Sequence, residues 1–153
     1  LIEADYRDKK ATLAYNGLSF SVPKRLHIIG MMNTADRSLA MIDYALRRRF
    51  SFFDMEPGFD SEGFINYQNS FANETFNTLI ERIKELNKEI AQDRALGKGF
   101  CIGHSYFCNV NDCAEEWMKD VVDFDILPML SEYWFDESSK LQRWENILHG
   151  VFQ

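Results

Sequence analysis

Apolar residues in this chain follow two rhythms, and the change between them falls at Glu56-Pro57-Gly58, a punctuation that predicts a boundary between subdomains. Before it they come in short runs. Residues 12–20 (Thr-Leu-Ala-Tyr-Asn-Gly-Leu-Ser-Phe) predict two short strands around an Asn16-Gly17 turn, stopped by Pro23. Residues 26–31, with paired isoleucines, are nearly continuously apolar, as expected of a central strand in a parallel sheet buried on both faces. Leu39, Ile42, Ala45 and Leu46 then repeat at helical spacing, with Asp36 or Ser38 available as N-cap, and residues 50–55 read as a further strand.

Beyond Pro57 the periodicity is almost entirely helical. Residues 73–96 carry Phe76, Leu79, Ile80, Ile83, Leu86 and Ile90 on one stripe with Glu and Lys opposite, and Gly97 is placed to end that helix as a C-cap. Further helices are expected over residues 114–125, over 126–133 with Pro128 in the first turn, and over 138–148. Trp117, Trp134 and Trp144 recur at helical spacing among aliphatics, which favours packing over base stacking. The fold class is therefore α/β plus all-α, with residues 1–57 as an α/β part and 58–153 as a helical part.

Composition narrows the function. At 153 residues, 46% hydrophobic and 14% aromatic, the chain can bury a core, so disorder is excluded. A net charge of -7 and a pI near 5.0 argue against a broad nucleic-acid face, which needs clustered Lys and Arg. Three cysteines without framework spacing, and no apolar run near the ~18 residues of a membrane span, point to a reduced, soluble compartment. The opening Leu-Ile-Glu-Ala-Asp-Tyr, without an initiator Met, predicts a piece of a longer protein.

Two groups carry candidate chemistry. Asn33 follows the predicted buried strand, so its amide would sit at the ligand edge of the sheet, able to orient a water or contact a phosphate oxygen. A capping role with Asp36 is the open alternative, and Asp36 and Arg37 divide the same way between cap and ion pair. Arg47, Arg48 and Arg49 end the next helix about 100° apart, so they cannot all reach one phosphate. Cations there also favour the helix dipole, by ~0.3 to 1 kcal/mol. An arginine supplied in trans to a transferring phosphoryl group is worth ~10³ to 10⁵ in rate, and Arg48 and Arg49 are the preferred candidates.

In the helical part, His104 and Ser105 can offer hydrogen bonds, or His104 can bond to backbone within a packed turn. Cys101, His104, Cys108 and Cys113 are spaced unlike a zinc finger or an iron–sulfur run, so core-lining thiols are expected and no metal site is assigned.

The run Ile28-Ile29-Gly30-Met31-Met32-Asn33-Thr34-Ala35-Asp36-Arg37-Ser38, followed by Asp43-Tyr44-Ala45-Leu46-Arg47-Arg48-Arg49-Phe50, resembles the AAA+ domain of the McrB family, the GTP-hydrolysing motor subunits of methylcytosine-dependent McrBC restriction systems. Residues 53–60, Gly97-Lys98-Gly99-Phe100, residues 102–107 and residues 128–136 resemble the same family, so the likeness covers essentially the whole chain. It implies the last strands of an AAA+ P-loop NTPase core followed by a helical lid. By this resemblance Asn33 matches the sensor I asparagine, Asp36 and Arg37 lie in the signature segment, Arg48 and Arg49 match the arginine-finger region, and His104 and Ser105 lie where the lid approaches nucleotide. Near Cys101 the chain departs from the pattern, which would place a basic residue there; Lys98 is a weak substitute.

The Walker A loop, Gly-x-x-x-x-Gly-Lys-Ser/Thr, is absent from these 153 residues, and with it the amide cradle, the lysine and the Mg²⁺ hydroxyl. The resemblance thus implies GTP and Mg²⁺ in a full-length protein and neither in this fragment, which is expected to be inactive. It also implies a homo-oligomeric ring, an McrC-like nuclease subunit, methylated DNA bound through a domain outside this chain, no membrane, and a cytoplasmic location. An ATP-dependent remodeller of the MoxR or dynein-related groups and a non-catalytic AAA-like scaffold are the alternatives.

Overall fold

The computed structural model describes residues 1–33 and 44–153. They form two compact units, Leu1–Asp54 and Met55–Gln153.

The first unit is held mainly by polar contacts. Strands β1 (Ala11–Thr12) and β2 (Ser19–Phe20) pair antiparallel, Ala11 with Phe20 and Thr12 with Ser19. The predicted turn is present in a wider form: Leu13 N–H bonds to Leu18 O, Gly17 N–H to Leu13 O, and Leu18 N–H to the Asn16 Oδ1. Gly17 takes φ 71°, a left-handed conformation that glycine adopts without steric cost. Beside this hairpin the Arg7 guanidinium donates to the carbonyls of Ile2 (2.9 Å), Pro23 (3.1 Å) and Leu26 (2.9 Å), tying three stretches together. Helix α1 (Tyr44–Arg47) covers Ala45 and Leu46 of the helix expected after Ser38, while Leu39 and Ile42 of that expectation lie outside the described residues.

Neither apolar run of this part forms a strand. Residues 26–31 and 50–55 are irregular, and Ile29 (91% exposed), Met31 (96%) and Phe53 (87%) stand in solvent. A strand needs a neighbour to take its N–H and C=O groups, and the β1–β2 hairpin is the only sheet among the described residues. Val22 is accordingly the only buried hydrophobic residue described in this unit.

The second unit is built on one helix. Helix α3 (Glu74–Gln92) starts where Asn73 accepts the Phe76 N–H on its Oδ1 (3.0 Å), and the Asn73 amide also donates to Cys113 O (3.0 Å). Its stripe of Phe76, Leu79, Ile80, Ile83, Leu86 and Ile90 is buried to 1% exposure or less. Around it pack α2 (Glu62–Ser70), capped by the Ser61 hydroxyl accepting Phe64 N–H (3.2 Å), and α6 (Ser138–His149). Phe107, Met118, Val122, Ile126, Leu130, Trp134 and Leu148 complete the core, and among the described residues no polar side chain is buried. Trp134 and Trp144 are buried and Trp117 packs against the core, as their spacing predicts.

Two boundaries differ from expectation, each for a local reason. Helix α3 ends at Gln92 instead of at Gly97, because Asp93 turns into an extended conformation and its carboxylate takes the Ala95 N–H (2.8 Å), the Trp134 indole N–H (3.2 Å) and Lys140 Nζ (2.6 Å). Gly97, at φ 87°, still returns its N–H to Ile90 O. The two helices expected on either side of Ile126 are one run: α4 (Glu115–Asp120), a π-helical segment (Val121–Ile126) and α5 (Leu127–Tyr133). Leu127 N–H reaches back to Val122 O, five residues away, just before Pro128. A proline has no N–H for the four-residue ladder, and a widened turn absorbs that break without ending the rod.

The Lys140 hydrogen bond, then the Ala95 amide, pull the Asp93 pKa from 3.8 to about 2. A carboxylate with a depressed folded pKa stabilises fully above its unfolded pKa and loses that contribution as pH falls through the folded value. Asp93→Asn should therefore cost on the order of 2 kcal/mol at neutral pH in urea unfolding. That deficit should shrink as pH falls from about 4 to about 2.

Candidate functional site

The predicted phosphate-sensing residues fall in the first unit. Asn33 is exposed at the end of the irregular segment that follows Leu26, and Asp36 and Arg37 lie outside the described residues. The three arginines diverge, as their angular separation requires. Arg47 lies over the Phe52 ring (5.7 Å to its centroid) and Arg48 is exposed. Arg49 donates from Nε to Glu3 Oε1 (2.5 Å) and from Nη1 to Ala45 O (2.7 Å).

Arg49 is also brought to the apolar run. A cavity of about 310 Å³ is lined by Arg7, Leu26, His27, Ile28, Arg49 and Phe50, so the guanidinium faces the start of the segment whose end carries Asn33. Arg7 is already committed to three carbonyls, which leaves Arg49 as the cation there with an exchangeable partner. The Arg49–Glu3 pair is part-exposed (31% and 39%), and such pairs are worth about 0 to 1 kcal/mol, so an incoming phosphate can displace the carboxylate.

In the second unit, one side chain of α3 sets the loop that holds His104. Asn87 accepts the Ile102 N–H on Oδ1 (2.6 Å) and donates from Nδ2 to Ile102 O (2.9 Å), the pairing that a neighbouring strand would make. The Cys101 thiol adds a donor contact to Asn87 O (3.5 Å). With Ile102 itself 1% exposed, the loop is fixed in position by an amide clasp and an apolar plug.

His104 then turns back onto the unit's first residues. Its Nδ1 accepts the Gly58 N–H (3.0 Å), so the neutral ring carries its proton on Nε2. The ring stands edge-on to Phe59 and Phe64, at 6.1 and 5.8 Å between centroids. A Cβ on Gly58 would lie 3.1 Å from the imidazole, so a side chain there would have to push the ring back by a few tenths of an ångström. Ser105, next along, is exposed.

Beside the clasp lies a cavity of about 290 Å³, whose lining includes Phe59, Lys84, Asn87, Lys88, Lys98 and Cys101. Lys84 pairs with Asp60 (2.8 Å) and Lys98 with Glu56 (2.7 Å), whose carboxyl is held below its ordinary range by the lysine's hydrogen bond and charge. Burial, then the Glu56 charge, push the Cys101 thiol up, and burial pushes Cys113 up to about 11. These are protonated packing thiols at neutral pH. Asn87, Glu89 and Asp93 went unmarked in the sequence because polar residues on a helix flank read as a solvated face. The only available hint was that Asn, a weak helix former, interrupts a run of Glu, Lys and Leu.

Residues 78–142 match the family model described as McrB, alpha-helical lid domain. The chain is 51% identical over 138 residues to the type IV methyl-directed restriction enzyme EcoKMcrB subunit of Escherichia coli strain K12, an alignment covering 86% of this chain and 30% of that protein. The resemblance to McrB thus extends over most of the chain, which spans about a third of its relative's length, and the helical unit carries an McrB-type lid domain.

Replacing Asn87 by Ala leaves two inward-facing backbone groups of Ile102 without partners. The expected loss is about 1–3 kcal/mol, partly offset by alanine's helix propensity of roughly half a kcal/mol. Amide exchange at Ile102 should accelerate while that of the α3 core is unchanged, a pattern that hydrogen-exchange mass spectrometry or NMR reads directly.

Proposed function

We propose that this chain is the sensing and lid portion of an McrB-like AAA+ GTPase motor that drives a nuclease partner at methylated DNA. The observation that carries the reading is the lid-domain match joined to 51% identity with a methyl-directed restriction subunit. The placement of Arg49 beside residues 26–28 supports it from geometry.

In this reading the chain's division at Asp54 and Met55 separates the end of the AAA+ core from the lid. The exposed residues 26–31 and 50–55 pair with strands lying outside these 153 residues, which gives their apolar faces cover. Asn33 then stands at the carboxyl edge of the completed sheet, where its amide holds a water or a γ-phosphate oxygen, with Asp36 and Arg37 in the turn behind it. Arg48 or Arg49 crosses to a neighbouring subunit and neutralises charge that develops only in the transition state. Arg49 must leave Glu3 to do so, and the small worth of that pair makes the exchange inexpensive.

His104 and Ser105 are placed at the nucleotide-facing edge of the lid. Since His104 Nδ1 is occupied by Gly58, any contact with nucleotide falls to Nε2–H or to the Ser105 hydroxyl. GTP, with Mg²⁺ on its phosphates, supplies the bond to be hydrolysed. The residues here fit only the sensing side of that group, because this chain has no glycine-rich cradle for it. We place the protein in the cytoplasm, in a homo-oligomeric ring with an McrC-like subunit. No described helix is long and apolar enough to cross a membrane.

In the intact protein, Asn33→Ala should lower GTP turnover with little change in nucleotide binding. The arginine that acts in trans should, when replaced by Ala, lower turnover by roughly 10³-fold or more. Its defect should be relieved in rings mixed with an Asn33→Ala subunit, since each supplies what the other lacks. Full turnover by Asn33→Ala, Arg48→Ala and Arg49→Ala alike would refute the assignment and favour a scaffold, and preference for ATP over GTP would favour a remodeller.

A further inference from the structure

The cavity beside the Asn87 clasp joins apolar walls to a particular pattern of charge. At about 290 Å³ it falls just below the roughly 300–1,000 Å³ of pockets that hold a whole drug-sized ligand, a size for one flat heterocycle. Phe59 and Cys101 contribute apolar wall, and two carboxylate–lysine pairs, Asp60–Lys84 and Glu56–Lys98, line it as well. The Phe59 ring against which His104 stands is one of those walls, so cavity and imidazole share one edge of the helical unit.

The two ion pairs are not equivalent. Lys84 divides its ammonium between Asp60 (2.8 Å) and Glu81 (3.2 Å) with its side chain 28% exposed, so it is committed within the protein. Glu56 and Lys98 meet at 2.7 Å with side chains 67% and 76% exposed, within reach of a ligand arriving from solvent. The lysine's hydrogen bond and charge keep the Glu56 carboxyl ionised at neutral pH, when its oxygens only accept. The pair thus presents, side by side, an ammonium that donates and a carboxylate that accepts twice.

We infer that the Glu56–Lys98 pair reads the base-pairing edge of a guanine seated in this cavity. Along that edge guanine shows one acceptor, O6, and two donors, N1–H and the N2 amino group. Lys98 Nζ donates to O6 while the Glu56 carboxylate accepts from N1–H and N2–H, and the ion pair stays intact between them. Adenine inverts the first two positions, setting its N6 amino group against the ammonium and its N1 lone pair against the carboxylate. The pair therefore repels adenine as well as attracting guanine. The inference rests on the GTP-hydrolysing reading above and adds where the base is chosen, by residues outside the phosphate-sensing group. In that reading residues 50–55 complete a strand, and Glu56 leaves its carboxyl end, where sheets of this kind gather ligands.

Nucleotide competition against a fluorescent GTP analogue, together with turnover, tests this in the intact protein with GTP, ITP, XTP and ATP. ITP lacks the N2 amino group, and XTP carries a carbonyl in its place. The wild type should bind GTP about tenfold more tightly than ITP, and XTP and ATP more weakly still. Glu56→Gln sets an amide donor against that position. It should lose about tenfold in affinity for GTP and gain about tenfold for XTP, so that the GTP:XTP ratio falls about a hundredfold.

Lys98→Met should narrow the GTP:ATP ratio about tenfold without admitting XTP, and Asp60→Asn should leave every ratio as in the wild type. Turnover ratios are taken on one preparation, so a loss of folded protein cancels. A Glu56→Gln protein with the wild-type GTP:XTP ratio, a Lys98→Met protein with the wild-type GTP:ATP ratio, or a switch produced by Asp60→Asn would overturn the inference and leave the motor assignment standing. An intact wild type that hydrolyses no GTP, or prefers ATP, would overturn both.

Discussion

Helix α3 can exist only if water is kept from one of its faces, and the helical unit is the solution to that requirement. Its six stripe residues each stabilise by about 1.5–3 kcal/mol gross when buried, a sum that dominates any single polar contact in the unit. The requirement dictates what must surround the helix: α2 and α6 against it, the 98–107 loop across it, and the rod from α4 to α5 closing the core with Val122, Ile126 and Leu130. The apolar stripe makes the unit fold, but it does not by itself choose where the loop or the neighbouring helices stop.

That choice belongs to three polar residues on the flank of the same helix. Asn87 clasps Ile102, Glu89 accepts the Trp144 indole (3.0 Å) and Arg143, and Asp93 accepts the Trp134 indole and Lys140. Their spacing along the helix means that α5, α6 and the loop read their positions from one ruler. Each indole is buried with its N–H satisfied by a carboxylate, which specifies geometry at little net cost because leaving that donor unpaired would be expensive. His104 inherits its place from this ruler through Ile102, two residues earlier, and fixes Gly58 in turn. The edge of the lid that the proposal turns toward nucleotide is thus a downstream consequence of α3.

How much of this was legible in the sequence depends on whether the deciding contact is local. The Asn16-Gly17 hairpin and the stripe of α3 were legible because turn chemistry and helical period are written in adjacent residues. The end of α3 was not, since Asp93 leaves the helix for partners on Trp134 and Lys140, more than forty positions away. The widened turn before Pro128 shifts a period by one residue, too little to distinguish from two abutting helices. Residues 26–31 have the composition of a buried strand and the exposure of a surface loop, because a strand is a property of its neighbours. In the candidate site, the arginine triplet announced itself by charge, whereas Asn87 had no local signature.

The two units therefore stand differently. The helical one has its own core and a recognisable lid domain, while the first displays Arg48, Arg49 and Asn33 on a frame with one buried hydrophobic residue described. Such a frame can position the groups proposed to sense phosphate only when its apolar runs are covered, which is why the proposal makes them silent in isolation. The most direct measurement is GTP turnover, with Mg²⁺, by the 153-residue chain and by a longer protein carrying it behind a phosphate-binding loop. Turnover by the longer protein and none by the 153-residue chain is the predicted result; hydrolysis by the 153-residue chain alone would contradict the account.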